Sequence, residues 1–285
     1  MKKIISTILI FIGIIVTAAG THRHIPDLIT PPERKNVGFA KVIGEVKETL
    51  FANKSYMFLF FSGLLAALAG GIEAAFAIYF DSFFWGLNLD QMLTRGLCLY
   101  LAPIIAIFAA PFFTDKFGKK KTVMFIWAFQ IVFAALPFTL RYLDLTYGTS
   151  LFPVNGSPYL LPVLCVHVVI NVASAIIVFA TLSSMLMDLV EEIQLKTGRR
   201  EEGILFSARS FADKAVSGFG ILFASIILSL ISFPESSVIR NDLNGVVPSE
   251  ILASLALWYV PICIIAFGSA LFLVSGYSLT RDKHE

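Results

Sequence analysis

The sequence predicts an all-α membrane protein with about seven transmembrane helices. Hydrophobic residues make up 57% of the 285 positions and charged residues only 15%, and the mean hydropathy is +0.80. An ordinary globular domain contains about a quarter charged residues, and a soluble fold of this length could not bury so much apolar surface in one core. Apolar stretches of transmembrane length and an uneven distribution of Lys and Arg predict the same fold class.

Seven stretches are long and apolar enough to cross a bilayer. A spanning helix needs about 20 mostly apolar residues, and it satisfies its backbone hydrogen bonds internally, which is why such runs in lipid are helices. The predicted spans cover approximately residues 4–20, 55–80, 94–113, 122–143, 160–187, 204–232 and 251–278.

The basic residues predict the orientation of these spans. Segment 21–54 holds six Lys and Arg residues, the link at 114–121 four, the link at 189–203 three and the C-terminal tail two. The alternate links hold almost none. Because cytoplasmic loops are enriched in Lys and Arg, we expect these four segments, including the C-terminus, to be cytoplasmic.

The N-terminal span allows two interpretations. Lys2 and Lys3, an apolar run and then small residues up to Gly20 resemble a secretory signal peptide, whose cleavage would leave 21–54 outside the cell. The charge distribution favours a retained transmembrane helix at 1–20. The sequence then divides into this helix, a cytoplasmic linker at 21–54 with an interfacial amphipathic helix around Val42–Leu50, and a six-helix bundle at 55–285.

Nothing in the sequence predicts catalysis, a cofactor or a nucleic-acid partner. Cys98, Cys165 and Cys263 all lie in apolar runs, which favours buried thiols over a disulfide or a metal site. CxxC, HExxH and phosphate-loop motifs are not present, and the net charge is only +2. We therefore expect a protein that is not an enzyme and whose surroundings are the lipid bilayer.

Charged residues inside the apolar segment 204–232 are the strongest sign of function. Charges within a membrane are costly and usually face a cavity or one another. Arg209 and Asp213 are four residues apart and can form an ion pair on one helix. Lys214 shares a face with small and polar residues, Ser207, Ser210, Ser217 and Gly218. Such a face is either a close helix–helix contact or the lining of a water-filled pathway, and the lysine favours the pathway.

Three further polar residues lie within predicted spans: Glu73, His167 and Asn171. An interhelical hydrogen bond explains His167 or Asn171 as well as a ligand contact does. Glu73 is a candidate pathway residue, and the alternative is a structural ion pair with Lys214 or Arg209.

The link at 114–121 is a tight turn that carries a carboxylate and a glycine, with three of its four lysines directly after the glycine. Gly118 permits a left-handed backbone conformation, and Asp115 can bind a helix N-terminus or pair with a base. Alternatively, Lys119, Lys120 and Lys121 only fix the topology.

Several of these motifs resemble those of a known family. DKFGKKKT is similar to the loop between helices 8 and 9 of the major facilitator superfamily. SSMLMDLVEEIQLKTGRREEGILFSARSFADKAVSGFG and GIEAAFAIYFDSFFWGL are similar to the helix 10–11 and helix 7 regions of the glycoside–pentoside–hexuronide:cation symporters, the melibiose permease group. The resemblance extends over the whole chain and makes its spans equivalent to helices 6–12.

The resemblance implies a cation-coupled symporter, driven by H⁺ or Na⁺, for a sugar or similar small polar solute in the bacterial inner membrane. Lys214 matches a helix-11 lysine near the cation and sugar site of melibiose permease, and Asp115, Gly118, Lys119 and Lys120 match loop residues that lock one conformation. Helices 1–5 of the family have no counterpart in this sequence. Because alternating access needs two halves around one site, we expect this half to be inactive without an N-terminal half. Such a half could be a separate polypeptide; the alternative is a truncated, non-transporting membrane protein or an accessory scaffold.

Overall fold

The described part of the chain is helical. The computed structural model describes residues 2–22, 53–197, 202–235, 239 and 246–278, and it contains no β-strand within these residues. The helices are α1 (Lys2–His22), α2 (Lys54–Tyr79), α3 (Leu89–Cys98), α4 (Leu101–Phe117), α5 (Lys119–Tyr147), α6 (Leu160–Thr197), α7 (Glu202–Leu230) and α8 (Ser249–Ser275). A π-helical turn at Phe80–Phe84 extends α2.

Six helical segments in this part of the chain are long and apolar enough to cross a membrane. They are Lys54–Phe84, Leu89–Phe117, Lys119–Tyr147, Leu160–Leu195, Arg209–Leu230 and Ser249–Ser275. The predicted all-α membrane fold is confirmed. The first predicted span is helical throughout, as α1, but that α1 crosses the membrane stays a prediction. The predicted amphipathic helix of the linker lies outside the described residues.

The structure differs from the predicted elements in two places, one predicted span and one predicted link. The third predicted span, 94–113, is two helices, α3 and α4, which meet at Leu99–Tyr100. The segment 189–203 was predicted to be a link, but α6 continues through it as far as Thr197. The added residues include Glu, Gln, Leu and Lys, which are good helix formers even where the chain is no longer apolar. At 1.5 Å per residue α6 is about 57 Å long, well beyond the hydrocarbon core of about 30 Å.

The chain forms two compact units, Met1–Gly44 with α1 and Glu45–Glu285 with α2–α8. In the second unit α2 packs against α7 and α8, α8 also against α5, and α6 against α4 and α5. One apolar cluster surrounds Trp127 and Met185, near the end of the bundle that carries the 114–121 turn. A second cluster surrounds Phe80, Phe138 and Tyr259 at the opposite end.

Two short segments at the second end are fixed by local hydrogen bonds. Asn88 caps α3. Its side-chain oxygen accepts a hydrogen bond from the backbone N–H of Gln91, and the side-chain oxygen of Gln91 accepts one from the backbone N–H of Asn88. After α5, the Asp144 carboxylate accepts hydrogen bonds from the backbone N–H groups of Leu151 and Phe152 at 2.8 and 2.9 Å. The Asn88 cap pairs a backbone N–H group that the start of a helix leaves free, and the Asp144 carboxylate pairs two N–H groups of the loop that follows α5. Both therefore hold these connections in one conformation.

Candidate functional site

An open groove runs between α2 and α7 on the surface of the bundle. It has a volume of about 670 Å³ and is lined by Gly71, Ala74, Ala75, Tyr79, Asp213, Lys214, Ser217, Gly218, Ile221, Ala224, Ser225 and Leu228. Lys214 is exposed there and forms no ion pair with any described residue. A volume of this size falls in the range of small-molecule sites.

The small and polar face of α7 has two separate roles in the structure. Ser217 packs directly on α2: a Cβ atom added to Gly71 would lie 2.5 Å from the Ser217 carbonyl oxygen. A Cβ atom added to Gly220 would likewise lie 2.7 Å from the Gly71 backbone carbonyl carbon. By contrast, Gly218 is exposed and an added Cβ would meet nothing within 4 Å. The sequence presents a close helix contact and a pathway lining as alternatives for this face. In the structure both occur at adjacent positions of α7, with Ser217 in the contact and Gly218 in the open groove.

Arg209 and Asp213 form an ion pair on α7, as their spacing allows. Arg209 Nε lies 3.6 Å from an Asp213 carboxylate oxygen, and the side chain of Arg209 is the more buried of the two, 9% exposed against 26%. Arg209 also contacts α2, where its Nη2 would lie 3.3 Å from a Cβ added to Gly63. Its Nη1 is buried with no hydrogen-bond partner in the described chain. The guanidinium thus depends on Asp213 for charge compensation.

Glu73 has a different partner from those considered in the sequence analysis. Asn171 of α6 donates from Nδ2 to Glu73 Oε1 at 2.9 Å, and Glu73 forms no ion pair with Lys214 or Arg209. Gln130 of α5 in turn donates from Nε2 toward the Asn171 backbone oxygen and Oδ1, at 3.3 and 3.4 Å. These residues form a polar contact among three helices inside the bundle.

His167 lies one turn before Asn171 but belongs to other contacts. Its Nε2 lies 3.1 Å from the Phe133 carbonyl oxygen, and its ring stacks on the Phe133 ring with centroids 5.1 Å apart. The hydrogen bond pairs one ring nitrogen, and the stacking covers a face of the ring. The structure thus places His167 in an interhelical contact within the bundle.

The 114–121 turn consists of a single residue between two helices. Gly118 has φ = 78°, in the region that favours glycine. Lys119 donates to both Asp188 carboxylate oxygens at 2.7 and 2.8 Å, which connects α5 to α6. Lys120 donates to the carbonyl oxygens of Ser275 and Tyr277, at the C-terminal end of α8.

Asp115 differs from these lysines, because it is exposed and its carboxylate has no partner among the described residues. Tyr277 is buried beside the same turn and lies beyond the end of α8. Its burial raises the pKa of its phenol above the usual value, and the negative charges of Asp188 and Glu192 act in the same direction. The lysines of the turn therefore connect α5 to α6 and to the C-terminal end of α8, while the Asp115 carboxylate has no partner among the described residues.

Sequence reasoning missed Gln130 and Asp188. Gln130 stands alone in an apolar helix and Asp188 lies just beyond the predicted span 160–187, and only the pairing of helices reveals that Gln130 faces Asn171 and that Asp188 faces Lys119. It also missed the pair between Asp81 and Arg95, in which Arg95 Nη1 donates to both carboxylate oxygens. Among these residues Gln130 has a signal in the sequence, because a lone polar side chain within an apolar helix predicts a partner but not its identity.

No group of three His, Cys, Asp or Glu side chains suited to a metal ion occurs in the described residues. The three cysteines are free thiols, with Cys263 buried and Cys98 and Cys165 partly buried.

Comparison with known proteins gives one family and one weak relative. The chain is 20% identical over 243 residues to an uncharacterized symporter of Bacillus subtilis (strain 168), an alignment that covers 85% of the chain and 47% of the relative. The chain thus spans about half the length of this curated relative. No solved structure matches.

The family described as MFS/sugar transport protein matches residues 3–281, nearly the whole chain, which confirms the resemblance seen in the motifs. The protein is therefore a multi-pass membrane protein that belongs to the MFS/sugar transport protein family.

Proposed function

We propose that this chain provides the C-terminal half of a cation-coupled secondary transporter for a sugar or similar small polar solute. The observation that carries the proposal is the uncovered groove between α2 and α7 with Lys214 exposed in it. An ammonium group within a membrane-spanning helix is costly in contact with lipid. This face therefore needs water or another protein surface against it, as the half-transporter architecture provides.

The groove has the chemistry that a polar solute requires. Lys214 is a three-proton donor, and Asp213 beside it is a hydrogen-bond acceptor. The remaining lining is mostly small or apolar, which leaves space for the ligand and for the apolar faces of a sugar ring. The second half of the site would come from an N-terminal half, either joined to this chain or encoded separately. We place the transporter in the bacterial inner membrane with the 114–121 turn and the C-terminus on the cytoplasmic side.

Transport by a complemented protein tests this function. The chain is expressed together with an N-terminal half from the same genome or from a family member, and uptake of labelled sugars is measured under an imposed H⁺ or Na⁺ gradient. Lys214→Ala should abolish coupled uptake while the protein still inserts. The matched control is Lys121→Ala, because Lys121 is an exposed lysine at the membrane edge. Normal uptake by the Lys214→Ala protein would remove this lysine from the site.

A further inference from the structure

A second, much smaller cavity lies inside the bundle, between α2, α5 and α8. Its polar lining consists of Glu73, Gln130, Tyr259 and Cys263, and its volume is about 10 Å³. This volume accommodates about one water molecule. The cavity is not the groove, since Lys214 and Asp213 do not line it.

The hydrogen bonds around this cavity fix the direction of each amide. Gln130 Nε2 faces two acceptors, the backbone oxygen and Oδ1 of Asn171, and Asn171 Nδ2 faces Glu73 Oε1. Reversing either amide would turn an oxygen toward these acceptors, so the orientation follows from the network. As a result Gln130 Oε1 is a buried acceptor without a donor in the described chain, on a residue only 2% exposed.

Glu73 lacks a neighbouring cation. No Lys, Arg or His nitrogen of the described residues lies within ion-pair distance of its carboxylate. The charge of Arg95 on α3 acts on Glu73 only at longer range, and its guanidinium is bound to Asp81. From α8, Tyr259 and Cys263 face Glu73. The charges of α7 at Asp213 and Lys214 line the groove instead.

We propose that Glu73 is a proton-binding site of the bundle, in which the protonated carboxyl donates its hydrogen bond to Gln130 Oε1 through one water molecule. Protonation adds one H⁺ from solvent to the carboxylate and removes the buried negative charge. It also supplies the donor that Gln130 needs, and it closes a ring of hydrogen bonds in the order Glu73, water, Gln130, Asn171 and Glu73. One protonation thus satisfies two groups that are costly to leave unpaired.

A metal cation fits this site less well than a proton does. The Asn171 amide points an N–H toward the carboxylate, and hard cations are bound by several oxygen atoms. The rest of the cavity is lined mainly by alkyl side chains, Ile131, Ala134, Ala135, Val260 and Ile264. If the bundle works in a symporter, a role that rests on the proposed function, Glu73 makes H⁺ the coupling ion of this half.

Infrared spectroscopy of the purified chain in lipid nanodiscs measures the proton directly and requires no transport. At pH 7 the wild-type protein should show the C=O stretching band of a protonated carboxyl, and Glu73→Gln should lose it. Asp115→Asn is the matched control, because it replaces an exposed carboxyl far from the cavity and should leave the band in place. Identical spectra of the wild type and Glu73→Gln in this region would overturn the proposal.

Two further measurements test the proton site without the Glu73→Gln variant, and they remain possible if that variant does not fold. Gln130→Leu removes the acceptor and should shift the carboxyl band to a higher wavenumber, and an unshifted band would contradict the role of Gln130. Exchange of choline chloride for sodium chloride should leave the band intact, whereas its loss would indicate a Na⁺ site. Because these readouts use the chain alone, a failure to transport would leave the proton site standing.

Discussion

Arg209 and Lys214 show how differently two basic residues of one apolar helix can be used. They lie five residues apart and therefore about 140° apart around α7. Arg209 turns toward α2 and is 7% exposed, with Asp213 as its counter-ion. Lys214 is exposed in the groove and is not paired within the described residues. Burial and pairing assign a structural role to Arg209, and exposure without a partner makes Lys214 the candidate for ligand contact.

The ion pair on α7 makes a testable prediction about stability. Arg209→Ala and Asp213→Ala should each lower the free energy of unfolding by about 1–3 kcal/mol, because each leaves a partly or fully buried partner unpaired. Asp213→Ala should cost more, since Arg209 is the more buried residue. The double variant should recover part of the loss. Thermal unfolding in detergent measures all three, and strictly additive losses would show that the two side chains are not coupled.

Exposure of Lys214 predicts the reactivity of a cysteine placed there. With Cys98, Cys165 and Cys263 replaced, Lys214→Cys should react rapidly with a small hydrophilic thiol reagent. Ile227→Cys on the same helix should react slowly, because Ile227 is 3% exposed and does not line the groove. Rates are compared by mass spectrometry on vesicles that contain the chain. Equal, slow rates at both positions would place Lys214 in a helix contact.

The sequence pointed to Arg209, Asp213, Lys214 and Glu73, and to the pairing of Arg209 with Asp213, but not to partners on other helices. The anomalous charges at Arg209, Asp213 and Lys214 were visible because charge is rare in a spanning helix. That Glu73 is bound by Asn171 could not be predicted, because the residues are 98 positions apart and only helix packing brings them together. The division of the α7 face into a contact and a groove follows from the same packing.

At the scale of elements, the α2–α7 contact depends on glycines that allow two backbones to approach. A methyl group on Gly71 would collide with the Ser217 backbone at 2.5 Å, whereas Gly70 beside it has open space. Small residues at such positions are what permits close helix packing in membranes.

Gly71→Ala should therefore separate α2 and α7 and destabilise the protein by about 1–3 kcal/mol. Gly70→Ala adds the same methyl group to the same helix and should be neutral or slightly stabilising, because alanine favours the helix. The melting temperatures of the two variants in detergent provide the comparison. A tolerated Gly71→Ala would mean that the two helices are not in close contact.

The number of spanning helices in the bundle was predictable, but their exact ends were not. Hydropathy reveals the 20-residue apolar core of each span because lipid imposes it. The continuation of α6 to Thr197 lies outside the apolar core, where helix propensity and packing decide the end. The break between α3 and α4 occurs inside an apolar run and has no hydropathy signal.

At the scale of the whole molecule, the charge distribution predicts the topology. Positions in 114–121 should be protected from an impermeant thiol reagent in intact cells, and positions in 235–248 should react, after the native cysteines are replaced. The four lysines of 114–121 support this orientation because basic loops stay in the cytoplasm. Labelling of 114–121 and protection of 235–248 would invert the topology and favour a cleaved signal peptide.

The bundle of α2–α8 has its own apolar clusters and its own polar contacts, yet it leaves a charged groove uncovered. Its family transports solutes, and the chain spans 47% of a symporter relative. We therefore expect a folded half that transports only when the groove meets a second bundle.

The most direct test of this account is concentrative uptake in proteoliposomes under an imposed H⁺ or Na⁺ gradient. The chain alone should insert and show no accumulation of any labelled sugar, because under the proposed function it supplies only one wall of the central cavity. The chain reconstituted with an N-terminal half should accumulate its solute above the outside concentration, and the gradient should be required. Accumulation by this chain alone would contradict the account.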